Sequence, residues 1–312
     1  MKKKSLKKRK KTARRNIKGA AKRPGNINAI GLVIPQFDDM FHTYYITEIM
    51  RGICNAASLA RLDLLVHLTE KDLDHQKIGS HPADVLFCSG IIFADIQGNE
   101  KLLECAINEG IPCVVMNHYD KSINAGCIAI DNKGGAVNAV DYIISLGHQR
   151  IAVITGDLSV QAGRDRLKGY KESLRKHGMP IDEALIKEGN FSPQCARKGV
   201  SELLDSDTCP SAIFVASDEM AIEVIKTLQQ RKVKVPQDVS VVGFDDSWFA
   251  TQGSIGLTTV SQPLGAMAQR AVNDLRNLIL SKTKINPPRA ILPTELVIRE
   301  SCVSPLKQED FY

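Results

Sequence analysis

The chain has 312 residues, 43% of them hydrophobic, and a net charge of +6. The hydrophobic share excludes a disordered chain, and no run approaches the roughly 18 apolar residues needed to span a bilayer. The charge is unevenly spread. Residues 1–28 carry 13 Lys and Arg and no acid, while the remainder holds 28 basic against 35 acidic residues. A mildly acidic body therefore follows a strongly basic arm. The arm lacks the apolar run of a secretory leader, because the first such run, Ala29–Ile34, is only strand-sized. The eight cysteines never form a Cys-x-x-Cys pair. They read as buried reduced thiols of a cytoplasmic protein rather than a metal or disulfide framework.

From residue 29 onward, apolar runs alternate with helix-length amphipathic segments. Strands are predicted at Ala29–Ile34, Asp63–Leu68, Gly90–Ala94, Cys113–Asn117, Ile128–Ile130, Ile151–Thr155, Ala212–Ala216 and Val239–Phe244. Helices are predicted at Tyr44–Leu59, Glu100–Glu109, Gly134–Leu146, Gly163–His177, Ser192–Leu204, Asp218–Arg231 and Gly265–Leu280. Continuous apolar strands separated by helices predict parallel sheets covered on both faces. There are too many strands for one ordinary sheet, so the reading is α/β with two doubly wound lobes. Such sheets bind ligands beyond the carboxyl ends of their strands, and two facing lobes make a cleft for a small molecule.

Several segments then become specific. Gly147-His148-Gln149-Arg150-Ile151-Ala152-Val153-Ile154-Thr155-Gly156, Arg166-Leu167-Lys168-Gly169-Tyr170 and Phe214-Val215-Ala216-Ser217-Asp218-Glu219-Met220-Ala221 occur in that order. Val235-Pro236-Gln237-Asp238-Val239-Ser240-Val241-Val242-Gly243-Phe244-Asp245-Asp246 and Leu257-Thr258-Thr259-Val260-Ser261-Gln262-Pro263 follow. This series resembles the LacI/GalR family of bacterial transcription regulators over about residues 27–303. The resemblance implies a type I periplasmic-binding-protein-like core: two similar parallel-sheet lobes joined by three crossovers, placed near Gly147, Gln262 and Pro293. The first lobe is then residues 29–147 and 262–292, and the second 148–261 and 293–312. It also implies a homodimer with a sugar-like effector in the cleft.

Carried over position by position, the resemblance makes Arg166 and Asp245 ligand-binding residues. A guanidinium fork and a carboxylate both suit hydroxyl pairs. Phe191 falls where the family places an aromatic that stacks on the ligand. Ser217 stands where relatives often have a longer polar side chain. Tyr44 or Tyr45 walls the cleft or simply packs its helix. Trp248, the only tryptophan, is either near the ligand or a hydrophobic anchor. Asp131 reads as a helix N-cap, and His148 as structural. Enzymatic readings are poor, since no phosphate loop, His-Glu-x-x-His or nucleophile elbow is present. No cofactor or metal is implied.

Family members carry a helix-turn-helix unit and a hinge helix before the core. Here 28 residues precede the first strand, too few for a recognition helix and its supports. Asn16–Gly25 resembles part of the family's first DNA-domain helix, which makes the arm a candidate remnant. Lys7, Lys8, Arg9, Lys10, Lys11, Arg14 and Arg15 would contact nucleic-acid phosphates, giving salt-dependent affinity without base readout. Three functions follow: an effector-responsive regulator with degenerate DNA binding, a stand-alone small-molecule sensor, or a non-specific nucleic-acid binder acting through the arm.

Overall fold

The computed structural model describes residues 28–35, 43–69, 87–206, 209–281 and 286–305. The basic arm and most of the loop 37–43 that precedes Tyr44 lie outside them.

The first sheet is built from β1 (Ala29–Pro35), β2 (Asp63–Thr69), β3 (Gly90–Phe93), β4 (Cys113–Met116), β5 (Gly126–Ile130) and β11 (Arg289–Leu292). Its spatial order is β11-β5-β4-β3-β1-β2, and every pairing is parallel. The second holds β6 (Ile151–Thr155), β7 (Ile186–Glu188), β8 (Ala212–Val215), β9 (Ser240–Asp245), β10 (Thr258–Ser261) and β12 (Glu295–Val297). Its order, β12-β10-β9-β8-β6-β7, repeats that of the first. Only β12 runs antiparallel to its neighbour. The interior strands β3, β4, β5, β6 and β8 are buried at every position. Burial on both faces is what an unbroken apolar run requires of a parallel strand.

The helices are α1 (Tyr44–Leu59), α2 (Glu100–Asn108), α3 (Asn132–Ser145), α4 (Gln161–Lys176), α5 (Pro193–Leu204), α6 (Asp218–Gln230), the short α7 (Phe249–Gln252) and α8 (Leu264–Leu280). In the first lobe α1 packs against α8, and α8 lies on β3, β4 and β5. Leu103 and Ala106 of α2 cover the opposite face with Ile91, Phe93 and Val115. In the second lobe α5 and α6 bury Val200, Val224 and Leu228 against Ile154, Ile213 and Val241.

The chain changes sheets three times: between β5 and β6, between β10 and β11, and between β11 and β12. The first change comes earlier than the sequence suggested. Helix α3 packs on α4 and reaches β8, β9, β10 and β12, all in the second lobe. Residues 132–147 therefore belong there, and the crossover lies at Asp131 rather than Gly147. The cause is the close contact between α3 and α4. A Cβ on Gly169 would meet the Lys133 carbonyl oxygen and come within 2.7 Å of Ala136 Cβ, so only glycine permits it. Tyr170, fully buried beside it, donates to the Ile151 carbonyl at 2.7 Å and ties α4 to β6.

The cysteines depart from expectation in part. All eight are free, but only Cys88, Cys113 and Cys127 are buried, while Cys54 and Cys209 are exposed. Among the described residues no helix is long and apolar enough to cross a membrane.

Candidate functional site

The site forms where the carboxyl ends of the second sheet's strands face the first lobe. Arg166, on the second turn of α4, is 4% exposed and fixed from several sides. Its Nε donates to Asn132 Oδ1 at 2.9 Å and its Nη1 donates to the Ala216 carbonyl at the end of β8. Nη1 also lies 3.5 Å from Asp245 Oδ1. The guanidinium carbon sits 3.7 Å from the Phe244 ring centroid and 5.6 Å from that of Phe191. Cation–π contact of this kind strengthens as water is excluded. Burial lowers the Arg166 pKa to about 10, and Asp245 and Asp218 oppose that shift. The side chain therefore stays charged at neutral pH.

Asp245 ends β9 with φ 132°, followed by Asp246 at φ 55°. Two successive residues in the left-handed half of backbone space are costly, and short polar side chains bear that cost best. The turn sends the two carboxylates to different partners. Asp245 accepts from Gln262 Nε2 and from the Asp218 amide at 3.4 Å. Asp246 pairs with Arg299 at 2.6 Å. Burial raises the Asp245 pKa, and Arg166 pulls it back.

Asp218 is a residue that sequence reasoning left unassigned. It is fully buried and accepts from Ser247 N at 2.7 Å, Ser247 Oγ at 3.0 Å and Thr259 Oγ1. Burial, then the neighbouring Asp245, pushes its pKa up. Its bonds tie α6, β10 and the turn after β9 together, which holds Asp245 in place. The acid directly after Ser217 in a strand-to-helix turn was the available signal.

Ser217 caps α6 by accepting from the Met220 amide at 3.4 Å and is 7% exposed. Phe191 adopts φ 54° and lies on Gly156, where any Cβ would collide with its ring. That turn holds the ring beside Arg166. Asp131 caps α3 by accepting from the Gly134 amide at 2.8 Å. His148 is 3% exposed, with Nδ1 2.9 Å from Ser211 Oγ and Nε2 2.9 Å from the Val303 carbonyl.

Tyr44 and Tyr45 of the first lobe and Trp248, just after β9 of the second, join this cluster. Tyr44, at the start of α1, meets Trp248 across the cleft, ring centroids 5.2 Å apart at 75°. Burial, aided by Glu48, Asp245, Asp246 and Asp218, pushes the Tyr44 pKa up to about 12. Tyr45 donates to the Ala94 carbonyl at 2.8 Å and is close enough to Arg166 to sense its charge. Two further bonds close the lobes: Gln97 Nε2 to Ser159 Oγ, and the Tyr119 amide to Gln161 Oε1 at 2.9 Å. Among the described residues no group of three or more His, Cys, Asp or Glu is placed to hold a metal.

Comparison with known proteins settles the family. A model of the periplasmic binding protein-like domain matches residues 140–302. The HTH-type transcriptional regulator DegA of Bacillus subtilis is 31% identical over 93% of this chain and 85% of its own length. The chain belongs to the LacI family of transcriptional regulators. The regulator CelR of Thermobifida fusca is 29% identical over 88% of this chain and 81% of its own. A solved transcriptional regulator CelR–cellobiose complex superposes with a TM-score of 0.79 at 30% identity, covering 88% of this chain and 84% of that one. The periplasmic-binding-protein-like architecture expected from the sequence is thus the one observed.

Proposed function

We propose that this protein is an effector-sensing regulator whose interlobe cleft binds a neutral, hydroxyl-rich small molecule of the carbohydrate class. The observation that carries the reading is the buried Arg166–Asp245 pair set between Phe191 on one side and the Tyr44–Trp248 contact on the other. An ion pair held by its own scaffold offers fixed donors and acceptors to hydroxyls, and aromatic rings take the apolar face of a sugar. The cellobiose complex of CelR supports the same class. Ser217 contributes through its helix cap. Tyr44, Tyr45 and Trp248 close the cleft over the ligand. An effector with higher affinity for the closed lobes shifts the population towards them, and that shift is the signal.

The functional unit in this reading is a cytoplasmic homodimer without enzymatic activity. Leu59, 80% exposed, and Leu65 and Val66 on the edge strand β2 supply an apolar face suited to a second copy. The output is DNA binding through the arm, where 13 cations give phosphate affinity that falls steeply with salt.

Thermal-shift screening with mono- and disaccharides, polyols and nucleosides tests the ligand reading, because a ligand that binds only the native state raises its stability by mass action. A sugar is expected to shift the wild type and to have no effect on Arg166→Ala or Asp245→Ala. Binding retained in both variants refutes the site, and no shift with any compound at millimolar concentration refutes the sensor. For DNA, promoter and scrambled fragments should bind alike and both be lost at high salt. A promoter preference that survives high salt overturns the non-specific reading.

A further inference from the structure

The two sheets share one strand order, so their positions can be matched. The crevice beyond the strand ends lies where the winding direction reverses, between β1 and β3 in the first sheet and between β6 and β8 in the second. In the first, the Ala94 amide donates to the Val33 carbonyl at 2.9 Å; in the second, the Ala216 amide donates to the Ile154 carbonyl at 2.9 Å. The next residues, Asp95 and Ser217, are therefore counterparts on facing walls. Ser217 adjoins the carbonyl that anchors Arg166. Asp95 occupies the same place opposite it.

Among the described residues Asp95 is a carboxyl group without a counter-ion. Its Oδ1 accepts from the Gln97 amide at 3.0 Å, and among the described residues it makes no ion pair. The cation whose field reaches it from the second lobe, Arg164, spends its Nη1 on the Leu158 and Ser159 carbonyls. Tyr45 stands beside it, but its hydroxyl is committed to Ala94. Gln97, two residues on, bonds Ser159 of the second lobe, so the Asp95 turn faces the cleft. Three other acids around the cleft are paired, Asp245 with Arg166, Asp246 with Arg299 and Glu48 with Arg51, while Asp218 is held by hydroxyl and amide donors and Glu100 adds its negative charge to the field on Asp95. Burial raises the Asp95 pKa to about 6, which leaves most of it ionised at neutral pH.

We propose that Asp95 is a specificity-determining residue of the cleft: it accepts hydroxyl or amine groups of a carbohydrate and rejects phosphorylated or acidic ones. This rests on the reading that the cleft binds a carbohydrate. A charged acceptor forms the stronger kind of hydrogen bond with such donors. An anion placed against it meets an unpaired like charge in a site shielded from water.

The test uses the full chain with matched probes: hexoses and disaccharides in neutral, 2-amino-2-deoxy, 6-phosphate and uronate forms. Wild type, Asp95→Asn and Asp95→Ser are compared by thermal shift and calorimetry. Asparagine and serine keep an acceptor for the Gln97 amide and remove a charge that burial disfavours, so the unliganded variants should melt no lower than wild type. Wild type should take a neutral or amino form at least about tenfold more tightly than its phosphate or uronate. Both variants should shrink that ratio at least about fivefold by gaining anion affinity. Equal wild-type affinity for neutral and anionic forms, or an unchanged ratio in the variants, overturns the Asp95 assignment alone. A panel in which no form binds any of the three proteins overturns this proposal and the carbohydrate reading together.

Discussion

Arg166 and Asp245 offer the sharpest test of how the site is held. Replacing Arg166 by methionine keeps an unbranched apolar stem, shorter than that of arginine, but removes every donor. Asn132 Oδ1 and the Ala216 carbonyl then lose the Arg166 donors, and Asp245 Oδ1 loses its cation and keeps only Gln262 Nε2. The Asp245 side chain is only 14% exposed, so water cannot replace the lost cation fully. Breaking one side of a buried pair costs about 3–5 kcal/mol, because the remaining charge stays buried and unpaired. Methionine recovers part of this by packing on Phe244 and Phe191. We therefore expect Arg166→Met to destabilise the second lobe by about 3 kcal/mol. Asp245→Asn alone keeps the acceptor that meets Gln262 Nε2 and should cost less. The double variant should cost clearly less than the sum, with about 1–3 kcal/mol of coupling, because the stranded charge is gone. Urea unfolding monitored by circular dichroism for the four proteins completes the cycle. A cost below about 1 kcal/mol for Arg166→Met, or strict additivity in the cycle, would refute the claim that this pair is buried and interdependent.

Gly169→Ala should destabilise by about 1–3 kcal/mol, since its methyl group must push α3 off α4; a melting temperature equal to wild type would refute that contact. Ser217→Ala removes the cap of α6 and should cost about 1 kcal/mol in urea unfolding; a neutral effect would show that the Met220 amide finds another partner. Burial lowers the His148 pKa below its ordinary 6.5, so its contribution is present above that value and is lost as pH falls through the depressed folded value. Melting temperature should fall with acid on that account, and less steeply in His148→Gln; identical slopes would refute it. Trp248 is the only tryptophan and rests on Tyr44, so its emission should change when effector binds. Tyr44→Ala should alter the unliganded spectrum, and no change in either experiment would place Trp248 outside the closing contact.

The parallel-sheet interior was readable because burial on both faces leaves no polar residue to confuse the pattern. Ile151–Thr155 is the case in point, four apolar residues closed by a threonine and all buried. The strands that were missed, β7, β10, β11 and β12, are three or four residues long and lie at or near sheet edges. Half-exposed segments such as Glu295–Val297 have too few side chains to show a period. Their identity comes from pairing with distant partners, as Arg289–Leu292 does with Cys127–Ile130. The misplaced crossover has a similar origin. Gly134–Leu146 announces a helix, but nothing local says which sheet will receive it. That is decided by Gly169, more than twenty residues away, which permits α3 and α4 to touch.

The site shows the same division between local and topological information. Arg166 and Asp245 stand inside motifs whose spacing identifies them, and the structure brings both to one point. Asp218 sits in one of those motifs, yet its role depends on Ser247 and Thr259, which meet it only after β9 and β10 have paired. Asp95 has no motif. In Phe93-Ala94-Asp95-Ile96-Gln97 it reads as a polar residue ending a strand, the commonest of loop signals. Its significance emerges only when the two strand orders are laid over each other and Asp95 falls opposite Ser217. Both walls of the cleft are then built on the same plan, one ending in a serine that caps a helix and the other in a carboxylate that no cation pairs among the described residues. That asymmetry, imposed on a duplicated scaffold, is where the selectivity of the cleft should reside.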